Sequence, residues 1–182
     1  IMTEQPNTVL FAMTRTPARE QLFSMIGPIA TGTINFYALK DSQLNISSID
    51  DAKQAKAVGV YRSSVEDQLL MEHQFTNIAP STTPLLSAKQ LMKKRIDLWC
   101  NTNLTAPSIL AEAGASMDDV KSLYTISENH LYISFSKGTP NKEIEQWKEA
   151  LIDIKADGTF AQIYHHWLPN DAPPMETERV GQ

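Results

Sequence analysis

Along this chain the hydrophobic pattern changes period again and again. Short apolar runs give way to stretches in which apolar residues return every three or four positions. Such alternation of strand-like and helix-like segments predicts an α/β fold. "TVLFAM" (8–13) is a short apolar run and predicts a buried strand. Thr16-Pro17 then reads as a helix start, a hydroxyl N-cap before a proline whose missing donor costs nothing at the first helical position. That helix is short and ends before Gly27-Pro28. "GTINFYALK" (32–40) is a β-rich run with alternating character, and "SSIDDAK" (47–53) predicts a short capped helix.

"AVGVY" (57–61) predicts a strand and "VEDQLLMEH" a helix, with Ser63 or Ser64 as N-cap and Glu66 and Asp67 loading the first turn with negative charge. Strand, helix and strand follow in "FTNIA" (75–79), "PLLSAKQLMKKR" (84–95) and "IDLWC" (96–100). A small helix over 106–113 stops at Gly114, a natural place for a left-handed residue. "KSLYTI" (121–126) and "HLYISFS" (130–136) read as two strands. Near the end, Ile144, Trp147, Leu151 and Ile154 recur at helical spacing, and Asp157-Gly158 breaks the run into two helices. Trp147, Tyr164 and Trp167 are expected in the core. After them "PNDAPPMETERVGQ" (169–182) is Pro-rich and polar, and predicts a disordered tail.

Composition narrows the function classes. The 182 residues are 42% apolar and 20% charged, ordinary for a globular chain long enough to bury a core. Net charge is −5 and the sixteen basic residues are scattered rather than striped, which argues against a nucleic-acid surface. No apolar stretch reaches the ~18 residues of a membrane span. Cys100 is the single cysteine, so no disulfide forms within the chain, and the four histidines lack metal-ligand spacing. No metal or cofactor is expected. Dinucleotide, P-loop and α/β-hydrolase motifs are absent.

Four stretches carry a resemblance. "MTRTPAREQLF" (13–23), "VGVYRSSVEDQLL" (58–70), "RIDLWCNTN" (95–103) and the long run from "LYISFSKG" to "IYHHWL" (131–168) follow, in order and spacing, the pattern of bacterial solute-binding proteins, family 3. The last run, with its Lys-Gly, Asp-Gly-Thr and Ile-Tyr-x-x-Trp, is the most specific. The resemblance implies a type 2 periplasmic-binding-protein fold, in which two α/β lobes are joined by two crossing strands and a ligand is clamped between them. It also implies a periplasmic protein, made with a signal peptide, that hands an amino acid to an ABC permease. On that mapping residues 1–31 are a remnant of the first lobe and 32–128 are the second lobe with the first crossing strand. Residues 129–168 are the second crossing strand and the helices that pack on the first lobe. The N-terminal part of the first lobe is missing, "IMTEQPN" reads as a helix end and turn, and Ile1 falls inside a domain. An incomplete lobe would expose an apolar face, so pairing into a homodimer is expected.

The resemblance also assigns a site. Arg19 takes the family's arginine position and Thr14 its strand-end threonine; a guanidinium offers a carboxylate two parallel donors. Arg15 competes, but it alternates with Thr14 along the strand and should face the other way. Ser63 and Ser64 open a helix, where free N–H groups favour an anion, although a plain N-cap explains them equally. The family's usual acid for the ammonium falls at Thr102, between Asn101 and Asn103, and all three are neutral here. The carboxylate half of an amino-acid site is therefore present and the ammonium half is weak. Ala12, Tyr61 and Trp99 lie where they could line the cleft, with core packing the alternative for Tyr61 and Trp99. Two other readings stand beside a non-enzymatic binder. One is an enzyme on the same fold, such as a cyclohexadienyl or arogenate dehydratase, for which only His130 offers a general acid or base. The other is a ligand-sensing domain of a larger regulatory protein.

Overall fold

The computed structural model describes residues 4–169 and 171–181. Residues 1–3, the start of the stretch read as a helix end, lie outside the described residues. The described chain forms two compact units, one from the residues up to Thr31 together with those from Asn129 onward, the other Gly32–Glu128.

In the second unit the later half of β2 (Ser24–Leu39) pairs antiparallel with β5 (Leu98–Thr102). β5 runs parallel to β3 (Val58–Tyr61), which runs parallel to β4 (Ile78–Ser81). Helices α2 (Ile49–Ala52), α3 (Val65–Glu72), α4 (Pro84–Met92) and α5 (Ala106–Glu112) fill the connections. Strand alternation sorts the side chains into two cores. Phe36, Val58, Val60, Leu98 and Cys100 pack in one with Leu70 of α3. Tyr37 and Trp99 pack in the other with Ala88 and Leu91 of α4 and Leu110 of α5. Gly59 is where a side chain has no room, since a Cβ there would sit 2.2 Å from Ile96. Pro80 is tolerated because β4 is an edge strand, where a missing donor costs no ladder bond.

In the first unit β1 (Val9–Thr14) pairs antiparallel with β6 (Val120–Phe135). The short helix α1 (Pro17–Glu20) follows β1, and α6 (Asn141–Ala156) and α7 (Thr159–Trp167) close the chain's helical part. Ile26, Ile133, Phe135, Ile144 and Leu151 form one core, and Met13, Phe23, Met25 and Tyr132 another.

Four expectations need correction. The short helix after Thr16 is present and ends at Glu20, but the strand read from Gly32 already begins at Ser24, because "SMIGPI" carries buried β formers. The runs 121–126 and 130–136 belong to one strand, the sixteen-residue β6 up to Phe135; the polar "SEN" between them is a strand segment, not a break. The tail expected to be disordered ends in a strand, β7 (Glu178–Gly181), antiparallel to β2. Trp147 and Trp167, expected in the core, are 40% and 76% exposed, while Tyr164 is buried. Their period does mark one face of each helix, but with Phe11, Ile154 and Ile163 they line an open apolar groove of about 430 Å³.

Candidate ligand-binding site

The first cluster grows from the end of β1. The pairing of β1 with β6 shifts register between Leu10 and Met13, and Ala12 at that bulge has φ 59, a left-handed value that a residue with a Cβ rarely adopts. Beyond it the chain turns at Thr16, whose hydroxyl accepts from the Arg19 N–H at 3.3 Å and whose neighbour Pro17 opens α1. The cap sets the first turn, and the turn brings Arg19 back over the strand end. Arg19 donates from Nη1 to the Thr14 carbonyl at 2.8 Å. Arg19 and Thr14, matched by resemblance alone, are therefore in direct contact, both half-buried. Ala12 is exposed beside them.

Arg15 goes elsewhere, into a network that sequence reasoning missed. Its Nε donates to Glu20 and its Nη1 to Glu178 and to the Tyr132 hydroxyl. Tyr132 in turn donates to Glu178 at 2.6 Å. The bonds to Glu20 and Tyr132 raise the Arg15 pKa. Burial, followed by the bond to Glu178, pushes the Tyr132 pKa up to about 12. Gly27 makes room for that ring, since a Cβ there would lie 2.8 Å from it. A signal did exist: Tyr132 sits on an apolar strand and Glu178 in a tail otherwise read as solvated.

The second cluster belongs to the other unit. Ser64 is the N-cap of α3 and accepts from the Asp67 N–H at 3.2 Å; the Asp67 carboxylate, buried, accepts from the Ser63 N–H at 2.7 Å. Ser63 has φ 61 and reaches this bond only through that turn. The capping bond uses an acceptor lone pair on Ser64 and leaves its O–H as a donor. Tyr61 is 43% exposed at the head of the same turn. Asn101 and Thr102 are buried at the end of β5. Asn101 Nδ2 donates to the Thr102 carbonyl and to Thr105 Oγ1, both at 3.1 Å, which ties the strand end to the start of α5. Asn103 accepts from the Thr33 N–H at 2.7 Å, and Gly32 is needed for that approach, because a Cβ would fall 2.4 Å from the Asn103 oxygen. Trp99 does not line open space. It is 1% exposed and packs against Tyr37 with ring centroids 5.7 Å apart, because its strand position faces the α4–α5 core.

Residues 3–170 match the bacterial extracellular solute-binding proteins, family 3. The chain belongs to that family. The family is one of extracellular solute binders, and the architecture is that of the periplasmic-binding-protein fold. Three solved structures illustrate the likeness. The GluR0 ligand-binding core from Nostoc punctiforme in complex with L-glutamate is 26% identical, with a TM-score of 0.69 over 86% of this chain and 70% of that one. A histidine kinase sensor domain with similarity to periplasmic binding proteins is 16% identical, with a TM-score of 0.79 over 91% and 71%. A putative L-cystine ABC transporter from Listeria monocytogenes is 22% identical, with a TM-score of 0.71 over 91% and 71%. No curated protein matches the sequence significantly.

Sequence reasoning also missed the Asn35 network of the second unit. Asn35 Nδ2 donates to the Thr33 hydroxyl at 2.8 Å and its Oδ1 accepts from Thr125 at 2.7 Å. Thr33, Asn35 and Tyr37 share one strand face at a spacing of two, so the alternation in "TINFY" held the signal. Among the described residues, no three His, Cys, Asp or Glu gather as a metal site requires, and no helix is long and apolar enough to cross a membrane.

Proposed function

We propose that this chain is a periplasmic solute-binding protein of an ABC importer, which binds an amino acid or a related small carboxylate by lobe closure and delivers it to a permease. The observation that carries the reading is the contact of Arg19 with the Thr14 carbonyl in a family 3 chain. The bond to the Thr14 carbonyl orients the guanidinium at the end of β1, and its planar fork suits a carboxylate. Arg15, between Glu20 and Glu178, is already paired with two acids and is the poorer candidate.

The second unit supplies neutral donors in this reading. Ser63 and Ser64 offer hydroxyls at the start of α3, where Tyr61 heads the same turn, and Asn101 and Thr102 lie at the end of β5; Ala12 belongs with Thr14 and Arg19 to the first unit's share. Asp67 is turned inward onto the Ser63 N–H, and the Asn101 amide is bonded to its own segment. Neither offers an ammonium a strong partner, which favours ligands whose carboxylate carries recognition. A ligand bound to both lobes would stabilise the closed form.

We also propose that the apolar groove of the first unit pairs with a second copy. β1 is an edge strand with Leu10 and Phe11 exposed and no charged residue, and it lies beside the face of Trp147 and Trp167. A strand edge and an apolar face side by side are self-complementary about a two-fold axis.

A thermal-shift panel of amino acids, dicarboxylates and modified amino acids tests the binding reading. A true ligand at a hundredfold excess over its Kd raises unfolding free energy by about 2.7 kcal/mol. Shifts confined to carboxylates support the proposal; a panel without any shift contradicts it.

A further inference from the structure

The last residues of the chain have no part in the reading above, yet they are bonded densely to the first unit. β7 adds to β2 in antiparallel register, from Gly27 opposite Glu178 to Ser24 opposite Gly181. Arg179 donates to Glu145 and to Asn141, each at 2.7 Å. Lys155, buried on α6, donates to the carbonyls of Glu176 and Pro28. These bonds fasten the tail, and two more contacts carry it to the corner of Thr14 and Arg19. Glu178 accepts from Arg15 and Tyr132, and Arg15 also holds Glu20, the last residue of α1. Gly181, at φ 85, lies so close to the turn after α1 that a Cβ there would fall 2.0 Å from the Phe23 carbonyl oxygen and 3.0 Å from that of Glu20. β7 therefore meets α1 twice, through charge at one end and backbone contact at the other.

That support is significant because α1 has little of its own. It has four residues and buries none of them, and a helix so short is not stable by propensity. Thr16 sets where it begins, but its far end is fixed by what leans on Glu20 and Phe23. Those supports are Arg15 and the tail.

We propose that β7 is a brace for the ligand-binding corner, with Glu178 and Gly181 as positioning residues that hold the Arg19-bearing helix against Thr14. Its effect on affinity rests on the reading of Arg19 as the carboxylate clamp; the bracing itself is independent of any ligand. A displacement of about 1 Å is enough to spoil a bidentate contact. The coupling is reciprocal, so a ligand held by Arg19 must favour the docked tail by the same factor by which the docked tail favours the ligand.

The test uses the full chain carrying Glu178→Gln or Gly181→Val. Without ligand, hydrogen exchange at residues 14–23 is expected to quicken about tenfold in both variants while the second unit is unchanged. Titration with L-glutamate and glutarate is expected to show about tenfold weaker binding in both variants, with Glu178→Asp largely restoring it. In the wild type these acids should slow exchange at 178–181. The absorbance titration of Tyr132 checks the contact itself: with the Glu178 carboxylate replaced by a neutral amide its pKa should fall. Unchanged exchange at 14–23 once that pKa has fallen overturns the brace, whether or not any acid binds. Unchanged affinity in both variants of a binding protein overturns it as well. A wild type that binds neither acid while exchange at 14–23 quickens in the variants supports the brace and contradicts the carboxylate reading alone. Should Gly181→Val fail to fold, Glu178→Gln, which alters no backbone contact, decides by the same comparison.

Discussion

Arg15 and Arg19 stand four residues apart with the same charge, and their surroundings assign them different work. Arg15 is bracketed by Glu20 and Glu178, whereas Arg19 is oriented by the Thr14 carbonyl. Arg19→Ala is expected to weaken binding of a carboxylate by about a hundredfold or more, and Arg19→Lys to recover only part of it, because a single ammonium lacks the planar fork. Ser64 has a second duty as a cap, so Ser64→Ala should lower unfolding free energy by about 1 kcal/mol as read by chemical denaturation, with or without ligand. Tyr132 predicts a pH dependence. Below pH 10 it is protonated in both folded and unfolded chains, so its stabilising contribution is complete. From there to about pH 12 the unfolded chain loses the proton first and stability drains away; above the folded pKa none of it is left. Denaturation midpoints across that window should fall more steeply in the wild type than in Tyr132→Phe. In the sequence, Thr14, Thr16 and Pro17 pointed to this corner. The partners of Arg15 did not show, because Tyr132 and Glu178 are 117 and 163 residues away.

Elements with a single environment were the legible ones. β3, α3, α4, β5 and α5 follow from apolar period, cap residues and Gly114, since each helix packs one face on a core and the two strands are apolar runs buried between the same two cores. The failures have a common cause. β2 and β6 each pass from one unit into the other, and their burial pattern changes along the way. A polar stretch such as "SEN" then looks like a strand end although the backbone continues extended. β7 was invisible because "ERVG" is held by pairing to β2 and by Arg179 and Glu178, not by apolar alternation. The cores themselves respond as interiors do. Phe36→Ala, at a fully buried position of β2, should cost about 3–5 kcal/mol and be seen as a large drop in unfolding midpoint.

At the scale of the molecule, a family 3 chain spans about 70% of the length of the solved structures it resembles, and its first unit leaves an apolar groove open. The period of α6 and α7 showed which faces were apolar, but a sequence period says nothing about whether anything covers that face. If a second copy covers it, sedimentation should show a concentration-dependent dimer that Trp167→Glu with Phe11→Asp converts to monomer. A wild-type chain that sediments as a monomer at every concentration contradicts the pairing. The central claim is that a carboxylate is held through Arg19, and calorimetric titration of the wild type and Arg19→Ala with a panel of amino acids and their deaminated analogues tests it most directly. The account predicts binding by the wild type, loss of it in Arg19→Ala, and tolerance of ligands without an ammonium. Binding that survives Arg19→Ala undiminished would contradict the carboxylate clamp.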